Sequence, residues 1–117
     1  MDQEQMRLRT KEFAKSIIYL CRQLPRSRDG MLTGNQIFRS GTSIGENYRA
    51  ACRGRSRADY IAKLAIALEE ADETHYWLDL LAETETANQD VIEPLIKEAN
   101  ELVSIFVASL NTARKKI

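Results

Sequence analysis

Residues that break helices and residues that build catalytic or metal sites are both scarce in this sequence. The chain of 117 residues has five Gly, two Pro, two Cys and one His. Cys21 and Cys52 form no Cys-x-x-Cys pair and lie on apolar helical stripes, so we expect small core side chains with reduced thiols. With 44% hydrophobic and 29% charged residues, the composition favours a globular helical protein.

Long apolar runs are also absent. No segment has the ~20 consecutive apolar residues that a membrane-spanning helix needs. The N-terminal stretch MDQEQMRLRTKEF lacks the apolar core of a secretory signal peptide. We therefore expect a cytoplasmic protein without membrane contact, in which residues 1–117 fold as a single domain of common size.

The single histidine offers little catalytic chemistry. His75 lies on the apolar stripe of a predicted helix, where we expect a buried or half-buried side chain hydrogen-bonded to a neighbour. The preceding residues form a Glu-x-x-His-like pattern, but di-iron bundles need two such pairs. The acidic run 69–73 does not converge on one ion, because successive helical residues point in different directions. We expect a protein that is not an enzyme and has no metal, cofactor or small-molecule substrate.

Apolar residues recur three and four positions apart along most of the chain, and no run alternates like a strand. The spacing predicts four helices at about residues 4–24, 32–53, 57–85 and 90–114. Because the connections are short, consecutive helices should be antiparallel. The predicted fold is all-α, an up-and-down antiparallel four-helix bundle.

Local signals set the boundaries of the first two helices. Pro25 ends the first helix, because the residue before a proline is pushed out of helical geometry. The pair Asp29-Gly30 predicts a tight bend. Gly54 is placed to end the second helix as a left-handed C-cap.

The last two helices have predicted N-caps. Ser56 opens the third helix, with Asp59 three residues later as its capping-box partner. Asn88 or Asp90 caps the fourth helix, which would put Pro94 in the first turn, where a missing N–H costs least.

Charge is divided unevenly although the net charge is zero. Residues 1–63 have 13 Lys and Arg against 6 Asp and Glu, whereas residues 64–117 have 4 against 11. Either the halves neutralise each other within one bundle, or they also meet between subunits, or the basic half faces a polyanion.

A group of basic residues surrounds the turn between the second and third helices. We call it the basic edge, and its members are Arg39, Arg49, Arg53, Arg55, Arg57 and Lys63. These side chains form a solvated face, pair with acids of another subunit, or contact a phosphate backbone. The sequence has no motif that reads bases.

Small residues precede this basic edge. The stretch GTSIG lacks the Gly-Lys-Ser/Thr ending of a phosphate-binding loop and follows no strand. Read as helix, it belongs to a seam that lets a neighbouring backbone come close, formed by Ser40, Gly41, Ser43, Gly45 and Asn47. This seam favours packing over ligand binding.

The third helix is apolar on more than one face. Besides its core stripe it carries Ile66, Tyr76, Trp77 and Leu80. A helix that is apolar nearly all round needs a second surface to cover it. We therefore assign Tyr76 and Trp77 to an oligomer seam and expect a homo-oligomer.

Several short motifs occur together in residues 39–83. They are Arg39-Ser40, Ser43-Ile44, Asn47, Arg55-Ser56, Asp59-Tyr60, Glu73-Thr74 and Tyr76-Trp77-Leu78. This combination resembles the small bacterial four-helix-bundle proteins first recognised as products of intervening sequences in 23S ribosomal RNA genes. The resemblance implies a bundle that assembles into a ring, a homopentamer, and no known catalysis.

A more distant similarity is to the accessory protein of diversity-generating retroelements, which is similar in fold and binds nucleic acid and a reverse transcriptase. Those proteins are strongly basic, whereas this chain is neutral. Two hypotheses follow. The first is a non-enzymatic ring-forming bundle that binds structured RNA, or an RNA-associated protein, through the basic edge. The second is a structural assembly module without nucleic-acid contact, whose arginines pair with acidic helices of the next subunit.

Overall fold

The computed structural model describes residues 1–115, which form four α-helices. These are α1 (Gln3–Gln23), α2 (Arg28–Cys52), α3 (Arg57–Glu83) and α4 (Gln89–Lys115). Across residues 1–115 there is no strand, so the predicted all-α fold of four helices is confirmed. Residues 116 and 117 of the predicted domain lie outside the described residues. None of the four helices is long and apolar enough to cross a membrane.

Consecutive helices are antiparallel. Along α1 and α2, Thr10 lies against Gly45 and Cys21 against Gly34, so rising numbers on one helix meet falling numbers on the other. Along α2 and α3, Ser43 meets Glu70 and Ser40 meets Thr74. The bundle measures 48 × 20 × 20 Å.

The α1 and α4 helices approach each other less closely than the other neighbouring pairs do. A bidentate ion pair joins the two helices. The Arg9 guanidinium donates to both carboxylate oxygens of Glu98, at 2.7 and 2.6 Å, and lies 3.6 Å from Glu101. The hydrogen bond to Glu98 raises the pKa of Arg9 above its ordinary value. This pair compensates for sparse backbone packing with directional contacts.

The core consists of the predicted apolar stripes, which meet along the bundle axis. Ile17, Ile44, Leu78 and Phe106 represent the four helices and are essentially inaccessible to solvent. Burying one such side chain stabilises a fold by about 1.5–3 kcal/mol. Cys21 and Cys52 are half-buried against this core as free thiols, in agreement with their predicted packing.

The link between α1 and α2 is shorter than predicted. The Ser27 hydroxyl accepts the Gly30 N–H at 3.3 Å and caps α2, which begins at Arg28 rather than near residue 32. The predicted bend at Asp29-Gly30 is therefore wrong, because both residues lie in the first helical turn. Gly30 is needed for close approach, since a Cβ there would collide with the Pro25 carbonyl oxygen.

The predicted left-handed C-cap at Gly54 is also wrong. Arg53 caps α2 with φ −98°, and no glycine in the described chain has a positive φ. A Cβ on Gly54 would lie 3.1 Å from the Tyr60 backbone nitrogen, so the glycine serves a tight connection into α3. A left-handed residue instead follows α3, where Glu85 has φ 56°.

The N-caps of α3 and α4 agree with their predicted positions in most details. Ser56 accepts the Asp59 N–H at 3.0 Å, but the Asp59 carboxylate accepts from Arg55 N–H rather than from Ser56. Asn88 accepts the Asp90 N–H at 2.8 Å. Pro94 is the sixth residue of α4, so its predicted place in the first turn is wrong.

Candidate nucleic-acid interface

The predicted small-residue seam of α2 contacts two different helices. A Cβ on Gly41 would lie 2.8 Å from Ile17 Cγ1, and one on Gly45 would lie 3.1 Å from Thr10 Oγ1, so these glycines permit the close contact with α1. On the adjacent side Ser40 bonds Thr74, and Ser43 donates to Glu70 at 2.8 Å.

The last residue of the small-residue seam, Asn47, and the predicted oligomer seam on α3 make other contacts. The Asn47 amide donates to the Ser43 carbonyl within α2. Tyr76 is 60% exposed on α3, and its ring meets the Trp77 ring edge-on at 5.2 Å. The Trp77 indole N–H donates to Glu73 at 3.3 Å. The aromatic pair and the small residues of α2 are therefore separate surfaces.

Two members of the basic edge are paired within the chain. Arg39 donates to Glu73 at 2.5 Å and lies 3.6 Å from Glu70. Lys63 donates to Asp59 at 3.1 Å, and this hydrogen bond holds the pKa of Asp59 below its ordinary value. Arg39 is also ten residues from Arg49, about 15 Å along α2. The six predicted cations therefore do not form one uniform surface.

The remaining four cations lie where α2 ends and α3 begins, and we call them the basic corner: Arg49, Arg53, Arg55 and Arg57. Three of them divide between two hollows. Arg49 and Arg53 line one with Lys63, whereas Arg57 lines another with residues of α1 and α4. All four are exposed, and none forms a salt bridge within residues 1–115. Several arginines close together raise the local positive potential and favour a polyanion.

Two further basic residues, which the sequence pattern alone does not single out, extend this surface onto α1. Arg7 and Lys11 line a groove with Arg49, and Glu46 is the carboxylate in its wall. They lie one turn apart on one face of α1, and antiparallel pairing with α2 brings that face beside Arg49. The four-residue spacing alone could have indicated a basic stripe, but its partner depends on helix rotation.

The chemistry available at this surface is that of anion contact. An arginine presents a planar fork of donors that matches a phosphate group. Within the described part of the chain, no group of three or more His, Cys, Asp or Glu side chains is placed to hold a metal ion. His75 is half-buried on α3.

The fold and the basic corner define a small all-helical protein, a four-helix bundle with a positively charged end. Residues 3–108 match the family described as 23S rRNA-intervening sequence protein. The chain belongs to this family, which confirms the resemblance noted in its sequence.

A solved structure supports the same assignment. A crystal structure of a protein of unknown function from the S23 ribosomal protein family of Bacteroides thetaiotaomicron is 38% identical. The match covers 95% of this chain and 99% of that chain, with a TM-score of 0.86. A search of curated proteins finds no match.

Proposed function

We propose that this protein is a non-enzymatic, cytoplasmic bundle that binds structured RNA, or an RNA-associated protein, through its basic corner. The main support is that four arginines at this end of the bundle are exposed and form no salt bridge within residues 1–115. Exposed arginines left unpaired inside the chain are available to an external anion.

The charges around the corner support the same function. Arg7 and Lys11 add two cations from α1 beside Arg49. Two carboxylates lie near the basic corner. Glu46 lines a hollow with Arg49 and Arg53, and Asp59 pairs with Lys63. The acids that pair with Arg39 lie further along α3. A chain with zero net charge thereby concentrates positive charge on one surface.

The test is RNA binding by a triple variant, Arg49→Ala, Arg53→Ala and Arg57→Ala. At about 50 mM salt, where phosphate contacts are strongest, we expect the wild type to bind a structured RNA hairpin and the triple variant to lose most of that affinity. Fluorescence anisotropy measures both.

A second triple variant provides the matched control. Lys15→Ala, Arg28→Ala and Lys97→Ala remove the same charge from exposed positions outside the corner. This control should retain far more affinity than the corner variant. Equal affinity of the wild type and the corner variant would contradict the proposal.

A second candidate function is self-assembly, as a homopentameric ring in the form that the family resemblance implies. Its specific support is the apolar surface of α3, where Ile66 is 42% and Tyr76 is 60% exposed. An apolar surface of this kind is covered in many oligomers.

Light scattering after size-exclusion chromatography separates the two functions. If arginines hold subunits together, the corner variant should fall to monomers or dimers. If it remains assembled and loses RNA, the corner serves RNA. Replacing Ile66 and Tyr76 with Ser should lower the particle mass if α3 forms the subunit contact.

A further inference from the structure

We infer that the outer groove between α1 and α2 binds an unpaired RNA strand, with bases stacked on Phe38 and phosphates held by cations on the groove rims. This inference rests on the proposed RNA binding. It adds a second RNA element, an unpaired strand next to the structured region, and a surface beyond the basic corner.

The groove consists of two hollows along the same helix pair. One lies beside Arg7, Lys11 and Arg49, and the other beside Arg22, Arg26 and Phe38. Because α1 and α2 are antiparallel, the hollows follow one another along their shared crease. From Arg7 to Arg22 the crease extends about 22 Å along α1.

Glycines bring the two helices close enough to form this crease. A Cβ on Gly34 would lie 3.1 Å from Leu24 Cδ1, and one on Gly45 would lie 3.1 Å from Thr10 Oγ1. Small residues therefore line part of the floor, while longer side chains stand at its edges. A crease with raised edges suits a single extended strand.

The rims of the groove are positive. Arg7, Lys11, Arg22, Arg26 and Arg49 form no salt bridge within the described residues 1–115. The hollow beside Phe38 has no carboxylate in its lining, and the other hollow has one, Glu46. This charge is complementary to a phosphate backbone beside each of the two hollows.

Aromatic and planar groups accompany the charge. Phe38 is 47% exposed in the hollow near the start of α2. Tyr19 is 52% exposed nearby on α1, and the Arg22 guanidinium lies 5.6 Å from its ring centroid. Unpaired bases stack on aromatic rings and on arginine planes, whereas a duplex keeps its base faces covered. The combination of a basic groove and exposed rings therefore favours an unpaired strand.

The test compares the binding of an unstructured oligoribonucleotide of about 12 nucleotides with that of a duplex of the same length. A length of about 12 nucleotides falls within the usual range of single-strand site sizes. We expect the wild type to bind the single strand more tightly. Phe38→Leu keeps an apolar side chain but removes the ring, and should weaken single-strand binding roughly five- to 150-fold. Its duplex affinity should not change.

Tyr76→Leu is the matched control, because it removes an exposed ring from α3 outside the groove. It should change neither the single-strand affinity nor the duplex affinity, with the particle mass of the variant equal to that of the wild type. A double variant, Arg22→Ala and Arg26→Ala, should lower the salt slope of single-strand binding by about 1.4, the loss of two phosphate contacts.

The outcomes separate this inference from the proposed function. Equal binding of the two RNAs, or equal effects of Phe38→Leu and Tyr76→Leu, would overturn the groove while RNA binding by the corner stands. No binding of any RNA by the wild type would overturn both. If Phe38→Leu lowers the particle mass and leaves single-strand affinity unchanged, a second copy covers the groove and the inference is wrong.

Discussion

At the scale of single residues, the contact between α2 and α3 is organised by a buried pair of hydroxyls. The Thr74 hydroxyl bonds the Ser40 hydroxyl at 2.8 Å and the Glu70 carbonyl oxygen at 2.7 Å. Both side chains are inaccessible to solvent. A buried polar atom needs a partner, so this pair fixes the register of the two helices.

The two hydroxyls should contribute unequally to the stability of the fold. Thr74→Val keeps the shape but leaves the Ser40 hydroxyl unpaired, so we expect a loss of about 1–3 kcal/mol in the free energy of unfolding. Ser40→Ala should cost less, because Thr74 keeps its bond to Glu70. Urea unfolding of both single variants and the double variant measures their coupling, expected at about 0.5 kcal/mol or more. Strictly additive effects would contradict the bonded pair.

A second residue-scale prediction concerns the glycine closest to α1. Gly41→Ala improves helix propensity by about 0.5–1 kcal/mol, but its Cβ would lie 2.8 Å from a carbon of the fully buried Ile17. Overpacking costs about 1–3 kcal/mol, so we expect a net loss of about 1 kcal/mol by urea unfolding. Ser104→Ala, at an exposed position of α4, should change stability by no more than about 0.5 kcal/mol. A more stable Gly41→Ala protein would show that Ile17 can move aside.

At the scale of whole helices, the start of α3 depends on Asp59. Its carboxylate accepts from Lys63 and from the Arg55 N–H, and the bond with Lys63 is the main reason that its pKa is lowered. The charged carboxylate therefore stabilises the fold above its ordinary pKa of 3.8. That contribution disappears as the pH falls through the lowered folded-state value.

Asp59→Asn tests this linkage. We expect a lower Tm than the wild type at neutral pH, because the ionic contacts are lost, and a difference that shrinks as the pH falls below 3.8. Thermal unfolding at several pH values measures it. Asp72→Asn, an exposed change in the same helix, should leave Tm nearly unchanged. A constant difference for Asp59→Asn at all pH values would instead indicate an effect of packing.

At the scale of the molecule, charge is sorted between two helix pairs and partly neutralised across them. Arg9 of α1 pairs with Glu98 of α4, and Arg39 of α2 pairs with Glu73 of α3. The basic and acidic halves therefore do meet within one chain, as one interpretation of the sequence expected. The basic corner is left outside this neutralisation.

The basic corner should contribute to the salt dependence of RNA binding. For a duplex, each phosphate contact contributes about 0.9 to the slope of log affinity against log salt. Removing Arg49, Arg53 and Arg57 should therefore lower the slope for the structured hairpin by about 2.7, as measured by titrations at several salt concentrations. The Lys15, Arg28 and Lys97 variant should keep most of the wild-type slope. Identical slopes for both triple variants would mean that binding depends on total charge alone.

The presence of the helices and several of their ends were predictable from the sequence. Helix periodicity, Pro25 as a stop and Ser56 as a cap depend on neighbours within a few residues, and these predictions agree with the structure. The errors at Gly30 and Gly54 have a common cause. In sequence each glycine is typical of a bend or a left-handed cap, whereas the folded chain needs both glycines where a Cβ would approach backbone atoms of nearby turns.

The candidate site likewise has features that follow from the sequence and features that depend on the folded structure. Four helices and a basic cluster around the turn between the second and third follow from the sequence alone, because periodicity and composition are local properties. Which cations remain unpaired depends on contacts between helices. Arg39 pairs with Glu73, and Arg7 and Lys11 approach Arg49. Both arrangements depend on how each helix is rotated and aligned with its neighbour. Core packing fixes that rotation, since each helix must turn its apolar stripe inward.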